Sequence, residues 1–116
     1  MECTVHRTSE IISKKWTLLI ILAIYKGYHR YSEIRRNISP ITPKILSMRL
    51  KELEAEEIIR KETQHSNSQR KTFYYLTGSG KDLVSIIRSI KQWGMKWKFD
   101  NDECRATQCR SCNKSI

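Results

Sequence analysis

The 116-residue sequence predicts an α+β domain, mostly α, with a short first helix, three further helices, a two-stranded hairpin and a long last helix in that order. Three observations predict it. The run "WTLLIILAIY" (residues 16 to 25) is apolar on every side, as a buried helix is. Pro40 and Pro43 bracket a turn of a few residues between two helical stretches. Two runs rich in β-branched and aromatic residues, "IIRKET" and "RKTFYYLT", flank the wholly polar "QHSNSQ".

The elements follow from the N-terminus. Thr8 or Ser9 is placed to cap a short first helix carrying Ile11 and Ile12. Lys14 to Lys26 reads as the buried helix, with Gly27 as its stop. In "YSEIRRNI", Ser32 suits an N-cap, Ile34 and Ile38 form an i, i+4 pair, and Arg35 and Arg36 lie on the surface. Pro40 ends that helix. Thr42 then caps the next, and Pro43 takes its first position, where the missing N–H costs nothing. This helix runs to about Ala55, with Leu46, Leu50 and Leu53 on one face.

The hairpin comes next, with "QHSNSQ" as a projecting tip. Ser79 suits a cap for a last helix from about Lys81 to Lys98. Leu83, Ile86, Ile87, Ile90, Trp93 and Trp97 form one stripe on it at helical spacing. A stripe of two Trp and three Ile needs a covering surface, which is either the rest of its own domain or, the reading favoured here, a second copy of the chain. The order of elements is that of a winged helix-turn-helix with N- and C-terminal dimerisation helices. Residues 1–99 make this domain, and 100–116 a cysteine-containing tail.

Lys and Arg number 22 against 12 Asp and Glu, a net charge of +10, which points to an anionic partner, nucleic acid first. The longest apolar run is too short to cross a bilayer, so a cytoplasmic protein with no membrane partner is expected. The three histidines are scattered over separate elements, and no Gly-rich phosphate loop, HExxH or nucleophile elbow occurs. An enzyme is not expected.

The sequence resembles the HxlR-type winged helix regulators, relatives of the MarR regulators, from Cys3 to about Trp93. The resemblance is carried by Cys3, "SKKWTLLIILAIYKGYHRYSEIRRNI", "ITPKILSMRLKELEAEEII", "YYLTGSGKDL" and Trp93. Lys15-Trp16 matches the family's Lys-Trp. Tyr31-Ser32-Glu33-Ile34 matches its aromatic-x-Glu-Leu, and Leu50 to Glu54 its Leu-x-x-Leu-Glu. The resemblance implies a homodimeric, double-stranded-DNA-binding transcription factor that dimerises through its first and last helices. Some members sense electrophiles or oxidants through the N-terminal cysteine. The chain departs from the pattern at Pro40, where a glycine is common, at Pro43, where a polar residue is usual, and in its cysteine-bearing tail.

In such a fold the second helix of the helix-turn-helix lies in the major groove. The leucines hold it to the core, so Thr42, Pro43, Lys44, Ser47, Met48 and Lys51 are presented outward. Hydroxyls and ammonium groups suit bases and phosphates, and Met48 suits a thymine methyl. Arg49 lies nearer the core flank. Arg70 and Lys71 flank the hairpin tip and suit the minor groove or backbone. Arg35 and Arg36 suit phosphates, positioning without specifying. The plain alternative for all of these is a solvated basic surface.

Four cysteines complete the candidates. Cys104, Cys109 and Cys112 put three thiols within nine positions. They suit zinc, if Cys3 or His6 completes the set, or a CxxC redox pair, or an inert tail. Cys3 has either the family's sensing position or a half-buried structural one. A small-molecule inducer is a further expectation, held by Trp16, Tyr25, Tyr28 and Trp93 if those aromatics do not serve the core. The competing class is a winged-helix architectural or interaction module that binds nucleic acid without a specific operator.

Overall fold

The computed structural model describes residues 2–100 and 102. Seven elements follow one another: α1 (Thr4–Ile12), α2 (Thr17–Tyr25), α3 (Tyr31–Asn37), α4 (Pro43–Ala55), β1 (Ile59–Ser66), β2 (Gln69–Leu76) and α5 (Gly78–Trp97).

α1 begins earlier than the sequence predicts. Cys3 takes the extended N-cap conformation, and Thr8 and Ser9 lie inside the helix. The Ser9 hydroxyl donates back to the His6 carbonyl (3.0 Å), so it serves the preceding turn rather than a cap. Every residue of α1 is exposed or half-buried.

α2 starts three residues later than expected. Trp16 adopts φ 78°, a left-handed conformation that no helix continues through. From Thr17 the helix is enclosed, with Thr17, Ile20, Ile21, Ala23 and Ile24 buried. Gly27 does stop it, at φ 110°. The Tyr28 N–H donates to Ala23 O and the Gly27 N–H to Ile24 O, both at 3.1 Å. These are the two bonds of a Schellman ending.

The N-cap of α3 is Arg30, not Ser32. Glu33 decides this, because its carboxylate accepts the Arg30 N–H at 3.1 Å. Ile34 and Ile38 are fully buried. Thr42 caps α4 as expected, accepting the Ile45 N–H at 3.3 Å, and Pro43 holds the first position. Leu46, Leu50 and Leu53 enter the core.

β1 and β2 pair antiparallel from Ile59↔Leu76 to Ser66↔Gln69. The expected six-residue tip is therefore mostly strand. Asn67 and Ser68 alone make the turn, both at positive φ (49° and 64°), as a two-residue hairpin turn that follows the strand twist requires. The base of the hairpin is buried at Ile59 and Leu76, and its far end stands in solvent. The Tyr74 N–H donates to His29 O at 2.8 Å, and His29 Nδ1 lies 2.8 Å from Tyr74 O. A carbonyl only accepts, so His29 carries its proton on Nδ1.

α5 also starts early, capped by Thr77, whose hydroxyl oxygen accepts the Gly80 N–H at 3.3 Å. Ser79 instead donates to Glu57 O at 3.0 Å. Val84 and Ile87 face inward, toward a core built mainly from isoleucine. Arg88 donates to the Tyr25 hydroxyl at 2.7 Å and ties α5 to α2. The radius of gyration, 15.2 Å, exceeds the roughly 13 Å of a compact 100-residue domain. No helix among the described residues is long and apolar enough to cross a membrane.

Candidate nucleic-acid interface

The candidate surface starts from α4, because its two faces differ in kind. Three leucines lock one face into the core. On the other, Thr42, Pro43, Lys44 and Lys51 are exposed, Met48 is 40% exposed and Ser47 is half-buried. Lys44, Ser47, Met48 and Lys51 share one face at i, i+3, i+4 and i+7, and Thr42 and Pro43 stand at the helix N-terminus, where the helix dipole also favours an anion.

Two sets of bonds fix how α4 is presented. In the first, the Tyr31 hydroxyl donates to Pro43 O (3.0 Å), and Ser47 Oγ lies 3.3 Å from Tyr31 Oη. In the second, Arg49 is only 15% exposed; it donates through Nε to Lys15 O and through a guanidinium N–H to Glu52, each at 3.0 Å. Glu52 also takes Lys14 Nζ at 2.8 Å. That ammonium hydrogen bond, helped by Arg49, outweighs the opposing effect of burial and holds the Glu52 carboxyl below its usual range. Arg49 thus anchors α4 to the segment before α2, in keeping with its place near the core flank. Tyr31 and Glu52 carry part of the presentation of α4 that sequence reasoning missed. Tyr31 was visible only as the aromatic of a motif, and no signal in the sequence gave its hydroxyl a partner.

The wing supplies a second basic edge. Arg70 and Lys71 are exposed and pair across the hairpin with His65 and Gln64. At its root, Arg60 lies 4.6 Å from the Tyr75 ring and Arg30 lies 5.2 Å from the Phe73 ring. Burial raises the Tyr74 hydroxyl pKa above its ordinary value, with Glu54 adding to the effect, so it stays protonated. Arg35 and Arg36 are exposed on α3, beside a surface depression shared with Tyr31, Ser32 and Ser39.

Residues expected at a dimer face divide in two. Ile86, Ile90, Trp93 and Trp97 are exposed on α5, with Trp93 at 58% and Trp97 at 63%. Ile87 was expected with them but is buried in the protomer's own core, because it lies one helical turn from Val84 on the inward face. Leu83, Ile11 and Ile12 are half-buried, and Leu83 and Ile11 pack on that core. Val5 on α1 and Phe99 past α5 are further exposed apolar residues.

Cys3 is exposed, against the half-buried alternative. Cys104, Cys109 and Cys112 lie outside the described residues. Among the described residues no group of three or more His, Cys, Asp or Glu is placed to hold a metal ion. A groove of 920 Å³ opens between α1 and the C-terminal half of α4, lined by Arg7, Glu10, Ile11, Lys14, Glu52 and Glu56 among others. The aromatics expected around an inducer are not among its walls. Trp16, Tyr25 and Tyr28 pack on the core, and Trp93 is exposed.

Comparison with known proteins agrees with this geometry. A family model described as HxlR-like helix-turn-helix matches residues 11–102. The HTH-type transcriptional regulator YvaP of Bacillus subtilis is 35% identical over 92 residues, 79% of this chain and 84% of its own. The reduced form of the transcriptional regulator YodB from B. subtilis superposes with a TM-score of 0.74 at 30% identity, covering 88% of this chain and 100% of that one. The redox regulator HypR in its oxidized form does so with a TM-score of 0.71 at 35% identity, covering 84% and 99%.

Proposed function

The chain belongs to the HxlR-like helix-turn-helix family, and from that premise we infer that this transcriptional regulator reads a specific duplex DNA site as a homodimer. α4 enters the major groove, and residues 64–71 of the wing reach the adjacent minor groove or backbone. One observation carries the reading. The face of Lys44, half-buried Ser47, Met48 and Lys51, with exposed Thr42 at the helix cap, mixes base-reading and phosphate-binding chemistry, and it sits opposite three buried leucines. Arg35, Arg36, Arg70 and Lys71 add phosphate contacts that raise affinity without choosing sequence.

The signal is carried by thiols. Cys3 is exposed at the N-cap of α1. The reduced YodB and oxidized HypR structures are of proteins with redox states of their own, which supports the same class of signal here. The test is binding of the full chain to the DNA upstream of its own gene, against scrambled DNA of equal length. The protein is first reduced, then treated with diamide. The expected result is specific binding that diamide abolishes and dithiothreitol restores. Specific binding indifferent to diamide would remove the thiol signal and leave the DNA reading intact. Equal binding to both DNAs in either state would favour a nonspecific winged-helix module.

A further inference from the structure

Three oxygens stand in a chain between α3 and α4. Tyr31 Oη lies 3.0 Å from Pro43 O, and Ser47 Oγ lies 3.3 Å from Tyr31 Oη. Elementary hydrogen-bond accounting gives this chain a direction. The Pro43 carbonyl can only accept, so the single hydroxyl proton of Tyr31 is committed to it. Tyr31 Oη then has only lone pairs to offer, so Ser47 must donate to it. The one proton of the Ser47 hydroxyl therefore points back into the protein. What Ser47 can show to the groove, between exposed Lys44, Met48 and Lys51, is a lone pair.

We propose that Tyr31 is a positioning residue that makes Ser47 a hydrogen-bond acceptor, so that α4 prefers an amino-bearing base at one position of its site. In the major groove adenine presents its N6 amine and cytosine its N4 amine, whereas guanine O6 and thymine O4 only accept. A free serine would serve either kind by rotating its hydroxyl. A serine held by Tyr31 gives guanine or thymine two facing acceptors and no proton between them. The inference rests on α4 being the helix that reads DNA.

The test uses full-length, reduced protein. Wild type, Tyr31→Phe, Ser47→Ala and the double variant each select from a duplex library with a randomised centre. Single-base variants of the selected site are then titrated by fluorescence anisotropy. Tyr31→Phe keeps the ring that packs against the core and deletes only the hydroxyl. Wild type is expected to favour adenine or cytosine over guanine or thymine by about tenfold at one position per half-site. That preference should fall to about twofold or less in Tyr31→Phe. Ser47→Ala should lose it to the same extent, and the double variant should lose no more. For Tyr31→Phe, binding to scrambled duplex and its salt dependence should not change. A merely structural role for Tyr31 would weaken binding to every duplex alike and leave the base preference in place.

A Tyr31→Phe protein with the wild-type preference overturns the inference. So does a wild type with no amino-base position, provided Lys44→Ala still alters the selected sequence, because α4 then reads DNA without this device. If Lys44→Ala and Lys51→Ala both leave the selected sequence untouched, the reading of α4 itself has failed, and the inference with it.

Discussion

Glu52 shows how one charged side chain can tie two segments of the chain together. It sits between Lys14 and Arg49, and through them it joins the α1–α2 linker to α4. Its folded pKa lies below the ordinary carboxylate value, because the Lys14 ammonium and the Arg49 guanidinium favour the charged form. A depressed carboxylate contributes stability that is present above its unfolded pKa and lost as pH falls through the folded value. The wild type should therefore lose this contribution below about pH 4.5. Glu52→Gln should lose about 1 kcal/mol at neutral pH, because the little-exposed Arg49 is left without its carboxylate, and should show a shallower acid limb. Urea melts of both proteins from pH 7 to pH 3 check this; parallel pH profiles would contradict it. Glu52 was legible in the sequence only as part of a Leu-x-x-Leu-Glu motif. Its partners Lys14 and Arg49 come from another element and another turn, and periodicity does not report contacts made across elements.

At the scale of elements, sequence and structure agree where a single residue forces the backbone. Thr42-Pro43 fixed the start of α4, and Gly27 the end of α2. They part where a less typical residue takes a left-handed conformation. Trp16 at φ 78° trims α2, and Asn67-Ser68 closes the hairpin in two residues. None of these is glycine, so none carries the usual signal. The start of α5 was misplaced because Thr77 and Ser79 are both fit caps, and the choice is made by tertiary contact. Thr77 Oγ1 lies 2.6 Å from Glu57 O and 3.0 Å from Ile58 O, while Gly80 packs on the Ile58 carbonyl. A Cβ at Gly80 would lie 2.3 Å from that backbone oxygen, and backbone cannot swing aside. Gly80→Ala should therefore cost about 2 kcal/mol or more, despite alanine's better helix propensity. Gly78→Ala, with nothing within 4 Å, should be neutral or slightly stabilising. Thermal melts of the two variants separate the outcomes, and equal melting temperatures would refute the close approach.

For the whole molecule the exposed apolar surface decides the assembly. The stripe from Ile86 to Trp97 was legible as a helix face, and the division within it was not: Ile87 serves the protomer's own core, while Ile86, Ile90, Trp93 and Trp97 remain for a partner. The sequence period alone cannot separate two adjacent apolar faces of one helix. On the proposed reading of the chain as a homodimer, that remaining surface is the proposed dimer face. Ile90→Glu should shift the protein to monomer in sedimentation velocity and weaken operator binding at least tenfold, because two half-sites are then bound independently. A dimer that survives Ile90→Glu and Trp93→Glu together would place the interface elsewhere.

The most direct test of the central claim is a fluorescence-anisotropy titration of the selected duplex against a scrambled one at physiological salt. It compares the wild type with a variant carrying both Lys44→Ala and Met48→Ala. The wild type should prefer its site by about a thousandfold or more, and the variant should lose most of that ratio while staying folded and dimeric. A variant that keeps the full ratio, or a wild type that binds both duplexes equally, would contradict the assignment of α4 as the helix that reads DNA.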